Sequence, residues 1–368
     1  MANAIAFFPW AFVQSSVSVG PMRLLPYEKG ELPGDQPFVS QVDIDGVLSA
    51  YADRPNQPIH KGALLELGEW QSGMDVSDEQ AGCLFRARHL LAFSALSERE
   101  LFHRNFDYTN FDTYALMIQR YNPQSPGTFA FSTRRRDGHT QHLWGSDDFA
   151  FHRPNHVDGR ARIAFDEGLL TALLALPQDH ERVYEAIVEF NQANTDSSDV
   201  PRHVEAVMCK SAFEWLLQTD SYAKSFVKAL EARLADIVPV ECKGPLVEKW
   251  NARWQHESRL LHAWAKDFCA VRGTSAHGVT KPNFVWSNHQ HLAFIATFFP
   301  LLVKKVLTDG GLMKLDERDG ERLRHLDSYL AHDPFDFDWL SDKTHPWSEI
   351  ASGVRLALLA KRLYPYMN

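Results

Sequence analysis

The chain has 368 residues, 45% of them hydrophobic and 23% charged, with a net charge of −9 and a sequence pI of about 6.0. That composition belongs to globular proteins, and the length points to two domains rather than one core. An acidic chain is not a sequence-blind nucleic-acid coat, which would be basic, but it leaves room for a small local basic site.

The N-terminal part reads as strand-rich. Ala4 to Val13 is aromatic and apolar, carrying Phe7, Phe8, Trp10 and Phe12, and Gly20 to Tyr27 is a second short candidate bounded by Pro21 and Pro26. Residues 28–38 are loop by composition, Asp43 to Tyr51 suits a short helix and Ala63 to Leu67 a strand. Ser77-Asp78 opens a helix whose apolar residues Ala81, Leu84, Phe85, Ala87, Leu91 and Leu96 keep helical spacing to about Leu101. Tyr114 to Tyr121, Thr128 to Arg134 and Thr140 to Trp144 are short and broken by turn-like pairs, which is a hairpin or meander pattern. The polar stretch 152–164 holds both Pro and Gly and is the best linker candidate.

From residue 165 the periodicity becomes helical. Helices are expected at about 165–176, 179–194, 202–218, 222–236, 246–271, 289–308, 315–330 and 347–363, with Pro201 at the start of one and Gly310-Gly311 ending another. The fold class expected is therefore α+β: a mixed, strand-rich domain over 1–155 followed by an all-α bundle over 156–368. Cys83, Cys209, Cys242 and Cys269 are widely spaced and form no CxxC pair, which suits free thiols in a reducing cytoplasm. No signal peptide is evident, and the apolar run Leu292 to Val303 is too short to span a bilayer, so a cytoplasmic protein is expected.

The 246–271 segment carries Trp250, Trp254, Leu261, Trp264, Phe268 and Val271 at steps of three, four and seven, one apolar stripe suited to a core. Arg272 follows the last stripe position, and His277 follows Arg272-Gly273-Thr274-Ser275-Ala276 where the helix is expected to end. An arginine is permanently charged and forks onto phosphate oxygens, and a histidine exchanges protons near neutral pH. A general acid–base contribution of that kind is typically ~10²–10⁴-fold, with charge stabilisation by the arginine added to it. A purely structural reading pairs Arg272 with an acidic residue such as Glu214 and leaves His277 as a cap.

The Arg272-Gly-Thr-Ser-Ala-His277 segment, followed by Gly278, resembles the HEPN superfamily (higher eukaryotes and prokaryotes nucleotide-binding), whose hallmark is Arg, four to six residues, then His after the third core helix of a small bundle. Upstream, Val204 to Leu217 looks like the helix that carries an acidic residue in many members, here Glu214; downstream, His291 to Leu307 and Asp309-Gly310-Gly311 look like the closing helix. The resemblance covers about residues 178–310 and is closest to larger bacterial members with an N-terminal β-rich domain, some linked to phage defence.

It implies a homodimer in which two Arg/His loops face each other, and a metal-independent endoribonuclease, toxin-like or defensive, leaving 2′,3′-cyclic phosphate ends. Arg272 and His277 would be catalytic, with Glu214, Thr274 and Ser275 in support, and no metal or cofactor. The N-terminal domain would sense a trigger or gate the cleft. Many nuclease members carry a polar residue directly after the arginine, where this chain has Gly273. The alternatives are a non-catalytic nucleotide-binding module and a protein-interaction module.

Other clusters carry less. Arg134-Arg135-Arg136 at a predicted hairpin tip would bind RNA or a partner, or be a solvated turn. Glu181, Glu185 and Glu189 share a face and read as a solvated acidic stripe; His289 and His291 point to different sides of their helix. The acidic, aromatic stretch 333–347 is expected to fold back on the bundle.

Overall fold

In the computed structural model, residues 3–31, 36–54, 57–99, 108–123, 129–134, 136–137, 140–145, 150–158, 161–177, 180–241, 244–254, 256–277, 284–333 and 335 are described. The predicted helix at 347–363, the stretch 336–347 and Arg135 lie outside them. The chain divides into two units, one of residues 1–98, 106–175 and 195–197, the other of 99–105, 176–194 and 198–368.

The first unit is built on a sheet. Its strands in chain order are β1 (Asn3–Phe8), β2 (Ala11–Phe12), β3 (Val17–Val19), β4 (Met22–Glu28), β5 (Tyr51–Arg54), β6 (Gln57–Pro58), β7 (Lys61–Leu67), β8 (Met117–Tyr121), β9 (Phe129–Arg134), β10 (Thr140–Gly145), β11 (Phe151–His152) and β12 (Ala161–Arg162). Seven of them form an antiparallel sheet ordered β10-β9-β8-β1-β7-β4-β3. Strand β1 is central, and Ala4 through Phe8 are all fully buried. A continuous apolar run of this kind marks a strand covered on both faces.

Helix α1 (Gln41–Leu48) contributes Ile44, Val47 and Leu48 to the core that holds Ile5, Phe7 and Tyr51. Phe8 meets Tyr114 edge to face at 6.5 Å, and α2 (Asp78–Leu96) packs on the 3₁₀ turn that carries Tyr114 and on β7. Helix α2 starts where the sequence predicts, whereas α1 begins two residues before Asp43 and ends before Tyr51, which belongs to β5. Ser40 and Ser77 cap them, each closing a capping box with the side chain three residues on.

The predicted hairpin is present, with Thr140 opposite Arg134 and Gly145 opposite Phe129. The linker reading of 152–164 is corrected. Strands β11 and β12 pair in parallel with β5 and β2, and Val157 is buried in the core. A stretch whose backbone completes ladders belongs to the unit it completes, and this unit continues through α3 (Glu167–Leu174).

The second unit is a helical bundle: α4 (Glu181–Ala193), α5 (Arg202–Leu217), α6 (Ala223–Arg233), α7 (Leu246–Trp254), α8 (Leu260–His277), α9 (Asn288–Asp309), α10 (Glu317–Arg324) and α11 (Leu326–Leu330). Helix α5 is its axis and packs on α4, α6, α8 and α9. Phe213, in the C-terminal half of α5, meets the rings of Phe226, Trp264, Phe268, Phe298 and Phe299 at centroid distances of 5.1–6.3 Å. Edge-to-face and tilted contacts of this kind add to the area buried.

Helix α9 is long and apolar enough to cross a membrane by length and composition, but 78% of its apolar window is buried inside the bundle. It ends as predicted: Gly311 takes φ +71°, and the Leu312 N–H returns to the Leu307 carbonyl.

One predicted helix is two. The 246–271 segment breaks between α7 and α8. Asp327, from α11, accepts the Leu261 N–H at 2.8 Å and an Arg259 N–H at 3.0 Å, satisfying the first turn of α8 from a distant part of the chain. The stripe survives the break, with Leu261, Trp264, Phe268 and Val271 all buried on α8.

Candidate active site

Arg272 and His277 both lie within α8, which runs through the expected end to His277. Helical geometry separates two such positions by about 140° around the axis and roughly 7.5 Å along it. Position 275 lies about one turn beyond Arg272 on the same side. The side chains of Thr274, Ser275 and His277 lie outside the described residues. Gly273 sits in the helix with open space where a Cβ would stand.

The Arg272 side chain is half-buried. Its Nε is shielded from solvent with no hydrogen-bond partner among the described residues. The acidic residue named for it, Glu214, is engaged elsewhere: Lys210 Nζ, buried on the same helix, donates to Glu214 Oε1 at 2.8 Å. Lys210 also stands 4.8 Å from the centroid of the Phe226 ring, whose face suits a cation. The structural pairing of Arg272 with Glu214 is therefore absent among the described residues.

Helices α5 and α8 nevertheless bring these groups into one electrostatic neighbourhood around Cys269. Burial pushes the Cys269 thiol up to about 11, Glu214 adds to that, and the charges of Lys210 and Arg272 oppose it. A thiol held protonated at neutral pH is neither nucleophile nor metal ligand.

Glu214 also lines a surface cavity of about 360 Å³ with Arg182, Ser211, Trp215, Gln218 and Thr219. Helix α4 supplies Arg182, and the C-terminal end of α5 with its following turn supplies the rest.

Asp267, to which the sequence analysis gave no role, and His291 organise the far side of α8. Asp267 is fully buried and accepts hydrogen bonds from Trp254 Nε1 at 3.2 Å, Val285 N at 3.1 Å and Trp286 N at 3.3 Å. Arg253 Nε stands 3.5 Å from the same carboxylate and His291 Nε2 3.4 Å. Asp267 thus ties the end of α7 and the approach to α9 onto α8. A signal was present: Asp267 stands three residues after Trp264 and four before Val271, on the apolar stripe, where a carboxylate must be paired. His291 is enclosed by Trp264, Phe268 and Trp286, and burial holds its pKa below the usual histidine range against the pull of Asp267.

The remaining candidates stand on other elements. Arg134 ends β9 and Arg136 is exposed in the turn that follows. The acidic stripe on α4 is solvated only at its start: Glu189 is half-buried, and burial raises its pKa although Ser211 hydrogen-bonds to it. His289 is stacked on Phe335 at 3.9 Å while His291 is buried, so the two do point apart. Among the described residues no group of three His, Cys, Asp or Glu side chains is placed to hold a metal ion.

Comparison with known proteins finds no matching family model, no matching curated protein and no matching solved structure.

Proposed function

We propose that this protein is a metal-independent endoribonuclease of the HEPN type, acting as a homodimer with a composite Arg272/His277 site. One observation carries the reading. Arg272 is half-buried beside an aromatic seam, and no carboxylate among the described residues neutralises it, because Glu214 is engaged by Lys210. A guanidinium held near a low-dielectric core without a counter-charge is prepared for an external anion, and a phosphodiester fits its fork.

In this reading Arg272 binds the non-bridging oxygens of the scissile phosphate. A neutral His277 takes the proton of the ribose 2′-OH, the 2′-oxygen bonds to phosphorus and the 5′-oxygen leaves. A protonated His277 from the second copy gives that oxygen its proton. The products are a 2′,3′-cyclic phosphate and a 5′-OH. The wide angular separation of positions 272 and 277 on one helix favours assembly from two copies. Metal independence, a defensive role and a cytoplasmic setting follow from the resemblance and the composition.

Incubating the full chain with structured and unstructured RNA in EDTA tests this. Wild type should cleave and leave cyclic phosphate ends, whereas Arg272→Ala and His277→Ala should not. Cleavage that persists in both variants removes the assignment. Gly273, where many nuclease members have a polar residue, favours a second reading as a nucleotide-binding module; calorimetric binding with intact RNA would select it.

A further inference from the structure

The cavity beside Glu214 has features that packing does not explain. Arg182 Nε and Thr219 Oγ1 are both shielded from solvent and have no hydrogen-bond partner among the described residues. An unsatisfied buried donor costs on the order of 1–3 kcal/mol, and both of these belong to side chains that line the cavity and could turn toward an acceptor bound there. The cavity's one carboxylate, Glu214, is neutralised by Lys210 and does not repel an anion.

Trp215 opens the other side. Its side chain is 47% exposed at the cavity wall, whereas its neighbours Phe213 and Leu216 are buried. Gln218 is alone among the described non-glycine residues in having positive φ, at 54° with ψ 46°. It caps α5 in the left-handed region, where glycine or asparagine is usual. A glutamine kept there at a cost in strain points to a use for its side chain, which lines the same cavity.

We propose that this cavity seats one nucleotide of a single-stranded RNA. Arg182 and the Thr219 hydroxyl hold the phosphate, Trp215 stacks on the base and Gln218 hydrogen-bonds to the base edge. The volume of about 360 Å³ suits a group of nucleotide size. Stacking on an exposed aromatic beside a cation is the usual device for gripping a single strand without reading a duplex. This inference rests on the ribonuclease reading for its choice of strand. It places the anchor on α4 and α5, and cleavage on α8.

The test is calorimetric titration of the full chain with a 2′-O-methyl RNA hexamer, which cannot form a cyclic phosphate, and in parallel with 5′-mononucleotides and inorganic phosphate. Arg182→Ala and Trp215→Ala should each weaken hexamer binding about tenfold or more, and Trp215→Phe should recover most of the loss. Gln218→Gly should raise the melting temperature while flattening any preference among hexamers of different base. Glu317→Gln, at an exposed position of α10 that lines no part of the cavity, should leave hexamer binding within about threefold of wild type.

Wild-type affinity for the hexamer in Arg182→Ala and Trp215→Ala overturns the subsite, even if RNA is still cleaved. Tight mononucleotide binding without hexamer binding overturns the strand assignment, and phosphate binding alone overturns the base contact. A Trp215→Ala variant that changes only the sedimentation of the protein reassigns the surface to a second copy. If no RNA is cleaved under any condition but both variants lose the hexamer, the ribonuclease reading fails and the subsite stands.

Discussion

Lys210 Nζ and Glu214 Oε1 are 2.8 Å apart on one face of α5, and the charges of both, with that of Arg272 on α8, bear on Cys269. Without Lys210, Glu214 would be the natural counter-charge for the arginine. With it, Glu214 is engaged, and Arg272 Nε has no hydrogen-bond partner among the described residues. The two cations should therefore respond differently to removal. Arg272→Ala should change unfolding free energy by less than about 1 kcal/mol, because no described ion pair is broken. Lys210→Ala should cost about 3 kcal/mol, the lower end for breaking a buried pair, since Glu214 is partly solvated. Urea denaturation measures both, and equal losses would show that Arg272 is structural.

Gly273 offers a gain. It lies inside α8 with nothing near the position of a Cβ. Gly273→Ala should stabilise the protein by about 0.5–1 kcal/mol, the ordinary helix-interior difference between the two residues. Under the proposed ribonuclease reading, Gly273→Asn, which puts a polar residue directly after Arg272, should match or exceed wild type in a cleavage assay. A melting temperature lowered by alanine would mean that this turn is covered by another molecule, as the proposed dimer would make it.

Asp267 is the opposite case. Its carboxylate satisfies one indole and two backbone N–H groups and stands beside Arg253 and His291. Asp267→Ala should cost about 3–5 kcal/mol by leaving those donors and the arginine uncompensated. Hydrogen exchange should quicken first at the amides of Val285 and Trp286. Loss spread evenly over the bundle would argue against a local clasp.

The pH dependence has a definite sign. Burial, with Arg88 adding to it, pushes His89 down to about 4 from an ordinary 6.5, and burial also lowers His291. A histidine whose folded pKa is depressed binds more protons unfolded than folded between the two values. Its contribution is present in full above about 6.5 and is lost as pH falls toward the folded pKa. Thermal melts should thus fall between pH 6.5 and 4, and His89→Phe should flatten part of that slope. An unchanged slope would mean His89 is solvated.

Much of the fold could be read in advance because it is local. Ser77 announces a helix start, closing a capping box as Ser40 and Ser287 also do, and Gly310-Gly311 announces a stop, with Gly311 taking a backbone angle that other residues resist. The Trp264, Phe268 and Val271 spacing predicted the buried face of α8, and short turn-bounded strands predicted the hairpin of β9 and β10. The candidate site was legible only as a pair of residue types, Arg272 and His277, at a suggestive spacing.

What the sequence alone determined is periodicity, and with it the strand-rich beginning, the helical bundle and the faces each helix buries. Partners were decided by the tertiary structure. The continuous stripe from Trp250 to Val271 hides the break before α8, because its cap, Asp327, arrives from another helix. Glu214 looked free for Arg272 until Lys210, one turn earlier and buried against Phe226, proved to hold it. The cavity of Arg182, Trp215 and Gln218 exists only because α4 lies against α5. Periodicity is set by backbone geometry within a few residues, whereas an ion pair or a cavity depends on which helices become neighbours, and that is settled by packing the whole core at once.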